Sequence, residues 1–193
     1  MARTKQLDRR HVESLRADIG AFINTHPNPA MKRGATFLGE SFEVWTLNLG
    51  EILSQRSPDI DFTRALVNTG SWLHQISQNG VPAGYAISGP ATSFAGGWSL
   101  RGVFASDLAK KIAQAIETID RLRPKDEIEA HYFTIPSHKL ICFYLRGYSS
   151  EEVFVVRSMN SLAGPREREF YTPHEFVRLL SLSKPVHGLR LKK

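Results

Sequence analysis

The sequence predicts an α+β fold in one domain with a mainly antiparallel sheet, and three observations support this prediction. Residues 72–88 have the pattern of a β-hairpin, and residues 127–158 have the pattern of a three-stranded meander. Helical patterns occupy 8–24, 107–122 and 173–182, which lie before, between and after these strands. Strands joined by short turns and packed by separate helices are typical of an α+β domain.

The bulk composition is that of an ordinary globular chain. It has 193 residues, of which 41% are hydrophobic and 23% are charged, so we expect a single domain over 1–193. No apolar run approaches the ~18 residues of a transmembrane helix. A single cysteine, Cys142, excludes an internal disulfide. Because the N-terminal sequence also lacks the apolar segment of a secretory signal, we expect a cytoplasmic protein.

The first predicted helix, 8–24, follows from the spacing of its apolar residues. They recur every three or four positions and therefore lie on one side of a helix. These residues are Val12, Leu15, Ile19, Phe22 and Ile23. Asp8 is suited to cap the helix, because its carboxylate can accept hydrogen bonds from exposed backbone N–H groups. Pro27 and Pro29 end the pattern, since proline cannot continue a helical hydrogen-bond ladder.

Residues 41–55 fit two structures, and we favour the helix with Ser41 as its cap. The positions that share one helical face are Phe42, Trp45, Leu49 and Ile52. The positions that alternate as in a strand are Trp45, Leu47 and Leu49. The following segment, 61–70, reads as one or two helical turns that end at Gly70.

The predicted hairpin has the clearest turn signal in the chain. Asn79 and Gly80 suit a type I′ turn, because both central positions of that turn need positive φ. A two-residue loop without irregularities pairs His74 with Tyr85, and it places Trp72 on the same face as both.

The segments after the turn continue the α+β pattern. Pro82 cannot donate to a strand ladder, so we expect the second hairpin strand to lie at an edge of the sheet. Residues 89–97 read as a loop and 98–104 as a short strand. A strongly amphipathic helix follows over 107–122, with Ser106 as its cap.

In the predicted meander, the middle strand is apolar on both alternations and should be covered on both faces. A three-residue turn at 136–138 pairs Tyr132 with Cys142 and His131 with Phe143. In that register His131 and Cys142 point to opposite faces. We therefore interpret Cys142 as a buried structural cysteine, and not as a nucleophile paired with a histidine.

The last predicted helix, 173–182, begins with a strong local signal. Thr172 and Glu175 have the spacing of a capping box, and Pro173 occupies the first helical position, where its missing N–H costs nothing. The apolar residues of its buried side are Phe176, Leu179 and Leu180. A charged loop, 165–169, precedes it.

The sequence carries no catalytic, metal-binding or phosphate-binding motif with the required spacing, so we expect no cofactor. We therefore favour a non-catalytic binding domain with a protein or a small molecule as partner. Its candidate surface is the hairpin face with Trp72, His74 and Tyr85, beside Ser93 in the adjoining loop, because Trp and Tyr offer flat contact area with polar tips. If a helix covers that face, the same residues form core instead.

The positive charge lies at the two ends of the sequence. The net charge is +6, with +3 in residues 1–16, +4 in 184–193 and −1 between them. An alternative function is therefore electrostatic association of the ends, 1–6 and 184–193, with nucleic acid or an anionic membrane surface. The candidate contact residues are Arg3, Lys5, Arg9, Arg10, Arg190, Lys192 and Lys193.

Two further interpretations stay open. A hydrolase would use His74 or His131 with a serine such as Ser93. Separately, residues 1–6, MARTKQ, are similar to the beginning of a core histone tail. That resemblance implies that Lys5 stands where the histone tail carries a lysine that becomes methylated, and it ends at Leu7.

Overall fold

The computed structural model describes residues 2–3, 9–26, 31, 36–55, 60–91, 98–123, 128–147, 150–159, 164–183 and 185. The helices of these residues are α1 Arg9–Thr25, α2 Leu49–Ser54, α3 Phe62–Ala65, α4 Leu108–Leu122 and α5 Pro173–Leu182. The strands are β1 Ala2–Arg3, β2 Thr36–Leu47, β3 Leu66–Gln78, β4 Val81–Pro90, β5 Trp98–Ala105, β6 Ile128–Ile135, β7 Leu140–Arg146, β8 Glu151–Ser158 and β9 Phe170–Tyr171. All of these strands join one sheet, in which the order is β5-β4-β3-β2-β6-β7-β8-β9 and β1 pairs with β6.

The sheet consists of two antiparallel meanders, β2–β5 and β6–β9, joined at the centre. At the junction β2 and β6 run parallel, with Val44 opposite Tyr132 and Thr46 opposite Thr134. The short β1 also runs parallel to β6. The chain passes from the edge strand β5 to the central β6 through α4. This arrangement confirms the predicted α+β class with a mainly antiparallel sheet.

Helices cover both faces of the sheet. On one face α4 packs its apolar side, including Ile112 and Ile119, against β2, β3, β6, β7 and β8. On the opposite face α1 packs Ile19 and Ile23 against β3 and β4. The same face carries α2, α3 and α5 over β6, β7 and β8. The middle strand β7 is apolar on both sides for this reason, as predicted: Cys142 belongs to one core and Phe143 to the other.

Residues of two distant strands contact the N-terminal end of α4. There the Gln75 side chain on β3 donates to the Ala109 carbonyl at 3.1 Å, and Arg157 on β8 lies 3.9 Å from Asp107, the residue before the helix. The long side chains of Gln75 and Arg157 thus attach two strands that are not neighbours in the sheet to the start of α4.

The interpretation of 41–55 as a single helix is wrong in its first half. Residues up to Leu47 belong to β2, which pairs with β3 on one side and β6 on the other, and Phe42 and Trp45 pack on opposite faces. The helix α2 begins after Asn48, whose side-chain oxygen accepts a hydrogen bond from the Glu51 N–H at 3.2 Å. Pairing on both edges overrides the local helical periodicity.

In the segment 61–70, a single helical turn, α3, is followed at Leu66 by the long strand β3. The expected end at Gly70 is wrong, because Gly70 lies inside β3 with φ of +68°. It falls where the pairing of β2 with β3 shifts register between Val44 and Trp45. This local irregularity needs a backbone conformation that glycine adopts readily.

The β3–β4 turn forms as predicted, with φ of +53° at Asn79 and +74° at Gly80. The register beyond it differs, because a β-bulge between Ile76 and Ser77 leaves Ala83 without a partner on β3. Tyr85 therefore lies opposite Gln75 instead of His74. A one-residue slip of this kind moves a side chain to the other face of the sheet.

The edge position predicted for the second hairpin strand is also wrong. β4 lies between β3 and β5. Its pairing with β5 begins at Gly84, opposite Ala105, so Pro82 lies beyond the last β5 partner. The missing N–H of proline therefore interrupts no ladder on that side.

The predicted meander forms, but its first turn has four residues instead of three. A 3₁₀ turn over Pro136–His138 is followed by Lys139 in the left-handed region, with φ of +50°. The extra residue places Cys142 opposite Phe133, and His131 opposite Tyr144. His131 and Cys142 therefore face the same side, contrary to the predicted register.

The three main predicted helices all form. Helix 8–24 corresponds to α1, although its proposed cap Asp8 lies outside the described residues. Helix 107–122 corresponds to α4, where the Ser106 hydroxyl accepts from the Leu108 N–H at 3.1 Å. Helix 173–182 corresponds to α5 with the same bounds.

The capping box of α5 gives a first testable prediction. The Thr172 hydroxyl accepts from the Glu175 N–H at 3.2 Å, and the Glu175 carboxylate accepts from the Thr172 N–H at 3.1 Å. Thr172→Ala should lower the free energy of unfolding by about 1 kcal/mol, because an N–H at the helix start loses its partner. Urea unfolding measures this loss. Ser181→Ala, at an exposed position near the other end of α5, is the control and should change stability less.

Candidate functional site

The predicted hairpin surface does not exist as one surface. Trp72 and His74 are buried and face the α1 side of the sheet. Tyr85 faces the α4 side, where its ring stacks on Phe104 with centroids 5.1 Å apart. The bulge at Ala83 separates these residues, and Ser93 lies outside the described residues. The candidate residues are therefore divided between the two sides of the sheet, and Trp72 and His74 belong to the core, which is the alternative that the sequence left open.

His74 holds three strands together. Its Nδ1 lies 2.9 Å from the Ser41 hydroxyl on β2, and its Nε2 lies 2.7 Å from the Ser88 hydroxyl on β4. The residue is 0% exposed, and burial lowers the pKa of His74 to about 4. His74 is therefore neutral at pH 7, and neither ring nitrogen is free to bind a substrate or to abstract its proton. These contacts favour a structural role.

His131 belongs to a separate polar group on the same face. Its Nε2 lies 3.3 Å from the Glu129 carboxylate, and its ring contacts Trp45 edge-on at 5.3 Å. The nearby Cys142 is fully buried, and burial raises the pKa of its thiol. A buried thiol of raised pKa is unreactive at neutral pH. Within the described ranges, no three His, Cys, Asp or Glu side chains come together as metal ligands.

The candidate electrostatic contacts lie mostly beyond what the structure describes. Lys5, Arg190, Lys192 and Lys193 fall outside the described residues. Arg3 belongs to β1, and Arg9 and Arg10 belong to the first turn of α1. Association of the two ends with nucleic acid or membrane therefore stays a prediction.

A cleft of about 320 Å³ lies between α4 and the segment 164–169, above β8. We call it the α4–β8 cleft. It is lined by Lys111, Gln114, Ala115, Glu117, Thr118, Arg121, Phe154, Val156 and Arg168. Ala115, Phe154 and Val156 supply its apolar part, and the remaining side chains are polar or charged.

The first wall of the cleft is the polar side of α4. Lys111, Gln114, Thr118 and Arg121 follow one another at spacings of three and four residues, so they share one side of the helix. Ion pairs fix both ends of this helix. Lys111 pairs with Glu167 of the 164–169 segment at 2.9 Å, and Arg123 after the last turn pairs with Glu152 on β8 at 2.8 Å.

The second wall is the charged segment that follows β8. The Arg168 N–H donates to the Val155 carbonyl at 2.8 Å, and the Val155 N–H donates to the Glu169 carbonyl at 3.1 Å. The Glu167 carboxylate accepts from the Ser158 N–H at 2.9 Å. Three bonds to β8 therefore hold this wall in one position without any ligand.

Arg168 reaches across the cleft from a strained backbone. Its φ is +65°, in the left-handed region that non-glycine residues rarely adopt. Such a conformation costs about 1 kcal/mol, and residues of this kind are frequent at ligand-binding sites. The Arg168 guanidinium donates to the Gln114 side-chain oxygen at 3.0 Å, which fixes the cation against the α4 wall.

The charges of the cleft are distributed unevenly. At one end Lys111 donates to both Glu167 carboxylate oxygens, at 3.0 and 2.9 Å. Burial alone would raise the pKa of Glu167, but hydrogen bonds from Lys111 and Ser158 and the Lys111 charge lower it overall. Arg121 and Arg168 also line the cleft and form no ion pair with any described residue. Arg168 lies beside Gln114, one turn from Lys111, and Arg121 follows two turns after Gln114 on α4.

Sequence reasoning identified both walls but not the cleft. The loop 165–169 was expected to be charged, and 107–122 was expected to be amphipathic, so each wall has a local signal. Their juxtaposition depends on the packing of α4 on β8 and on the hydrogen bonds from the 164–169 segment to β8, which no local pattern encodes. The alternation of Arg and Glu in the loop gave no sign that Arg168 would adopt positive φ.

Comparisons with known proteins identify no relative: no family model, curated protein or solved structure matches this chain. Within the described ranges, no helix is both long enough and apolar enough to cross a membrane. The contacts and charges of the chain itself are therefore the basis for assigning a function.

Proposed function

We propose that this protein is a non-catalytic binding domain that holds a small organic anion in the α4–β8 cleft. The observation that carries the proposal is the combination of apolar lining with two guanidinium groups that have no carboxylate partner among the described residues. A ligand with an apolar body and an anionic group complements both parts.

The size and rigidity of the cleft support this proposal. A volume of about 320 Å³ lies at the lower end of the range of small-molecule pockets, about 300–1,000 Å³. The bonds from the 164–169 segment to β8 keep the walls in place before a ligand arrives. Pre-organisation of this kind favours binding, because less conformational freedom is lost when the complex forms.

The lining of the cleft also favours binding over catalysis. Its residues include no histidine or cysteine, and its one hydroxyl, on Thr118, donates to the Gln114 carbonyl at 2.7 Å within the helix. A nucleophile needs a base within hydrogen-bonding distance. None of the lining side chains forms such a pair.

The fluorescent probe 8-anilinonaphthalene-1-sulfonate tests this proposal, because it joins an apolar body to an anion. We expect one binding site, and we expect Arg168→Gln to weaken binding about tenfold, which corresponds to the loss of one hydrogen bond to a charged group. Glutamine keeps a polar side chain and has a similar backbone preference at positive φ. Fluorescence titration measures the dissociation constant, and circular dichroism verifies the fold of each variant.

Arg178→Gln is the matched control, because Arg178 is exposed on α5 and does not line the cleft. Its dissociation constant should equal that of the natural protein within twofold. Equal affinity of the Arg168→Gln variant and the natural protein would place the probe elsewhere and reject the α4–β8 cleft as the anion site.

A further inference from the structure

We infer that the α4 side of β4 and β5 carries a second binding surface, which recognises an acidic peptide segment of a partner protein. This surface consists of Tyr85, Ile87, Arg101 and Phe104, and we call it the Arg101 surface. None of these residues lines the α4–β8 cleft, so the Arg101 surface is independent of the proposed function.

The pairing of β4 with β5 places the four side chains together. Tyr85 and Ile87 lie two residues apart on β4, so they share a face, and they pair with Phe104 and Gly102 on β5. Arg101 has no partner on β4, because the pairing shifts register at this point. The extra residue of such a β-bulge has its side chain re-aimed. Here the Arg101 side chain extends across β4 towards β3.

The Arg101 guanidinium is held in place before any partner binds. Its Nη1 donates to the Ser71 hydroxyl on β3 at 3.1 Å. On its way it crosses Gly89 on β4, where a Cβ atom would lie only 2.6 Å from the Arg101 Cζ. Only a glycine allows this close approach to the backbone. Ser71 is buried but Arg101 is exposed, so the other N–H groups of the guanidinium are accessible to a partner.

The apolar part of the surface is open to solvent. The Phe104 ring lies over Gly102, where a Cβ atom would be 2.9 Å from the ring Cζ, and Tyr85 stacks on the same ring. Phe104 is 43% exposed, and Tyr85 and Ile87 are half-buried. Small molecules prefer concave pockets, whereas protein partners bind exposed surfaces that combine aromatic side chains with arginine. The exposure of these rings beside Arg101 therefore favours a protein partner.

The charge of the surface indicates the chemistry of that partner. Arg101 is the only arginine, lysine, aspartate or glutamate in β3, β4 and β5, and among the described residues no carboxylate forms an ion pair with it. A carboxylate matches the fork of a guanidinium with two parallel hydrogen bonds. A nucleic acid requires several cations along its phosphates, and these strands supply one. The partner should therefore place an acidic residue next to an apolar one.

Two acetylated peptide amides, Glu-Leu-Phe-Glu-Leu and Gln-Leu-Phe-Gln-Leu, test this inference, because they differ only in charge. In NMR titrations we expect the acidic peptide to bind about fivefold more tightly, as for one exposed ion pair, and to shift the signals of Tyr85, Arg101 and Phe104. Arg101→Gln should abolish the difference between the peptides. Arg178→Gln removes an exposed arginine on α5 and should preserve it.

Gly89→Ala tests the positioning of Arg101, because the added Cβ displaces the guanidinium while its charge is retained. It should weaken the acidic peptide about as much as Arg101→Gln does, and circular dichroism verifies the fold. Gly20→Ala is the matched control, since a Cβ at Gly20 on α1 meets no atom within 4 Å. Its affinity for the acidic peptide should equal that of the natural protein.

Equal affinity for the two peptides, the absence of binding, or shifts confined to the α4–β8 cleft would each overturn the Arg101 surface. Arg168→Gln should leave binding of the acidic peptide unchanged, whereas it weakens the naphthalene sulfonate probe. The failure of one site is therefore distinguishable from the failure of the other.

Discussion

Acidification from pH 7 to pH 4.5 should lower the free energy of unfolding by about 2.5 kcal/mol through His74 alone. Burial holds the pKa of His74 at about 4 in the folded protein. In the unfolded chain the pKa of histidine is about 6.5. Below pH 6.5 the unfolded state therefore binds a proton that the folded state does not bind, and stability is lost as the pH falls from 6.5 towards 4.

The environment of His74 explains the size of this effect. A proton on the ring would place a charge in a fully buried site whose two partners, Ser41 and Ser88, are neutral hydroxyls. Among the described residues, no carboxylate lies within ion-pair distance of His74 to compensate that charge. The cost of charging a buried group without a partner thus falls entirely on the folded state.

Urea unfolding at a series of pH values measures this prediction in the natural protein and in His74→Gln. The loss between pH 7 and pH 4.5 should be about 2.5 kcal/mol smaller in the variant, because a group that titrates in the unfolded state has been removed. His174→Gln, which removes an exposed histidine on α5, is the control for the loss of a histidine side chain. Parallel curves for His74→Gln and the natural protein would contradict the prediction, as would titration of the His74 ring near pH 6.5 in NMR spectra.

The sequence predicted best those features whose causes lie within a few residues. The bounds of α5 depend on the capping box of Thr172 and Glu175, and the β3–β4 turn depends on Asn79 and Gly80. Each signal acts through hydrogen bonds or allowed φ angles of neighbouring residues. Such causes do not change with the position of the element in the fold.

Strand register was predicted less well, because single residues shift it. The unpaired Ala83 moves Tyr85 from the His74 face to the Gln75 face, and Lys139 moves His131 to the face of Cys142. Both shifts are compatible with the same alternation of apolar residues. The packing partners of each hairpin lie outside it: α1 and α4 for β3–β4, and α4 with α3 and α5 for β6–β7.

The candidate site could not be predicted because its two walls are distant in sequence and become neighbours only in the folded chain. Arg121 and Arg168 are distant in sequence, and both line one cleft because α4 packs on β8 and the 164–169 segment bonds back to β8. The aromatic residues that the sequence did single out are drawn into the core or onto another face. Trp72, for example, is 5% exposed and contacts Trp98 with ring centroids 6.4 Å apart.

Phe62→Ala should lower the free energy of unfolding by about 3–5 kcal/mol, because a large buried ring is removed and a cavity remains. Phe62 is 0% exposed. Its ring stacks on Tyr144 at 5.2 Å and meets Phe133 and Phe176 edge-on at 5.6 and 5.9 Å. One side chain from a four-residue helix thus joins β6, β7 and α5.

Phe104→Ala is the matched control, because the same ring is removed from a position that is 43% exposed on the edge strand β5. It should cost less than about 1.5 kcal/mol, since much of its surface is already in water and its main ring contact is with Tyr85. Urea unfolding compares the two variants, and Phe62→Leu supplies an intermediate value if Phe62→Ala does not fold. Similar losses for Phe62→Ala and Phe104→Ala would mean that the α3 turn does not anchor the core. A difference of several kcal/mol would show that burial, and not the aromatic ring itself, determines the contribution of each phenylalanine.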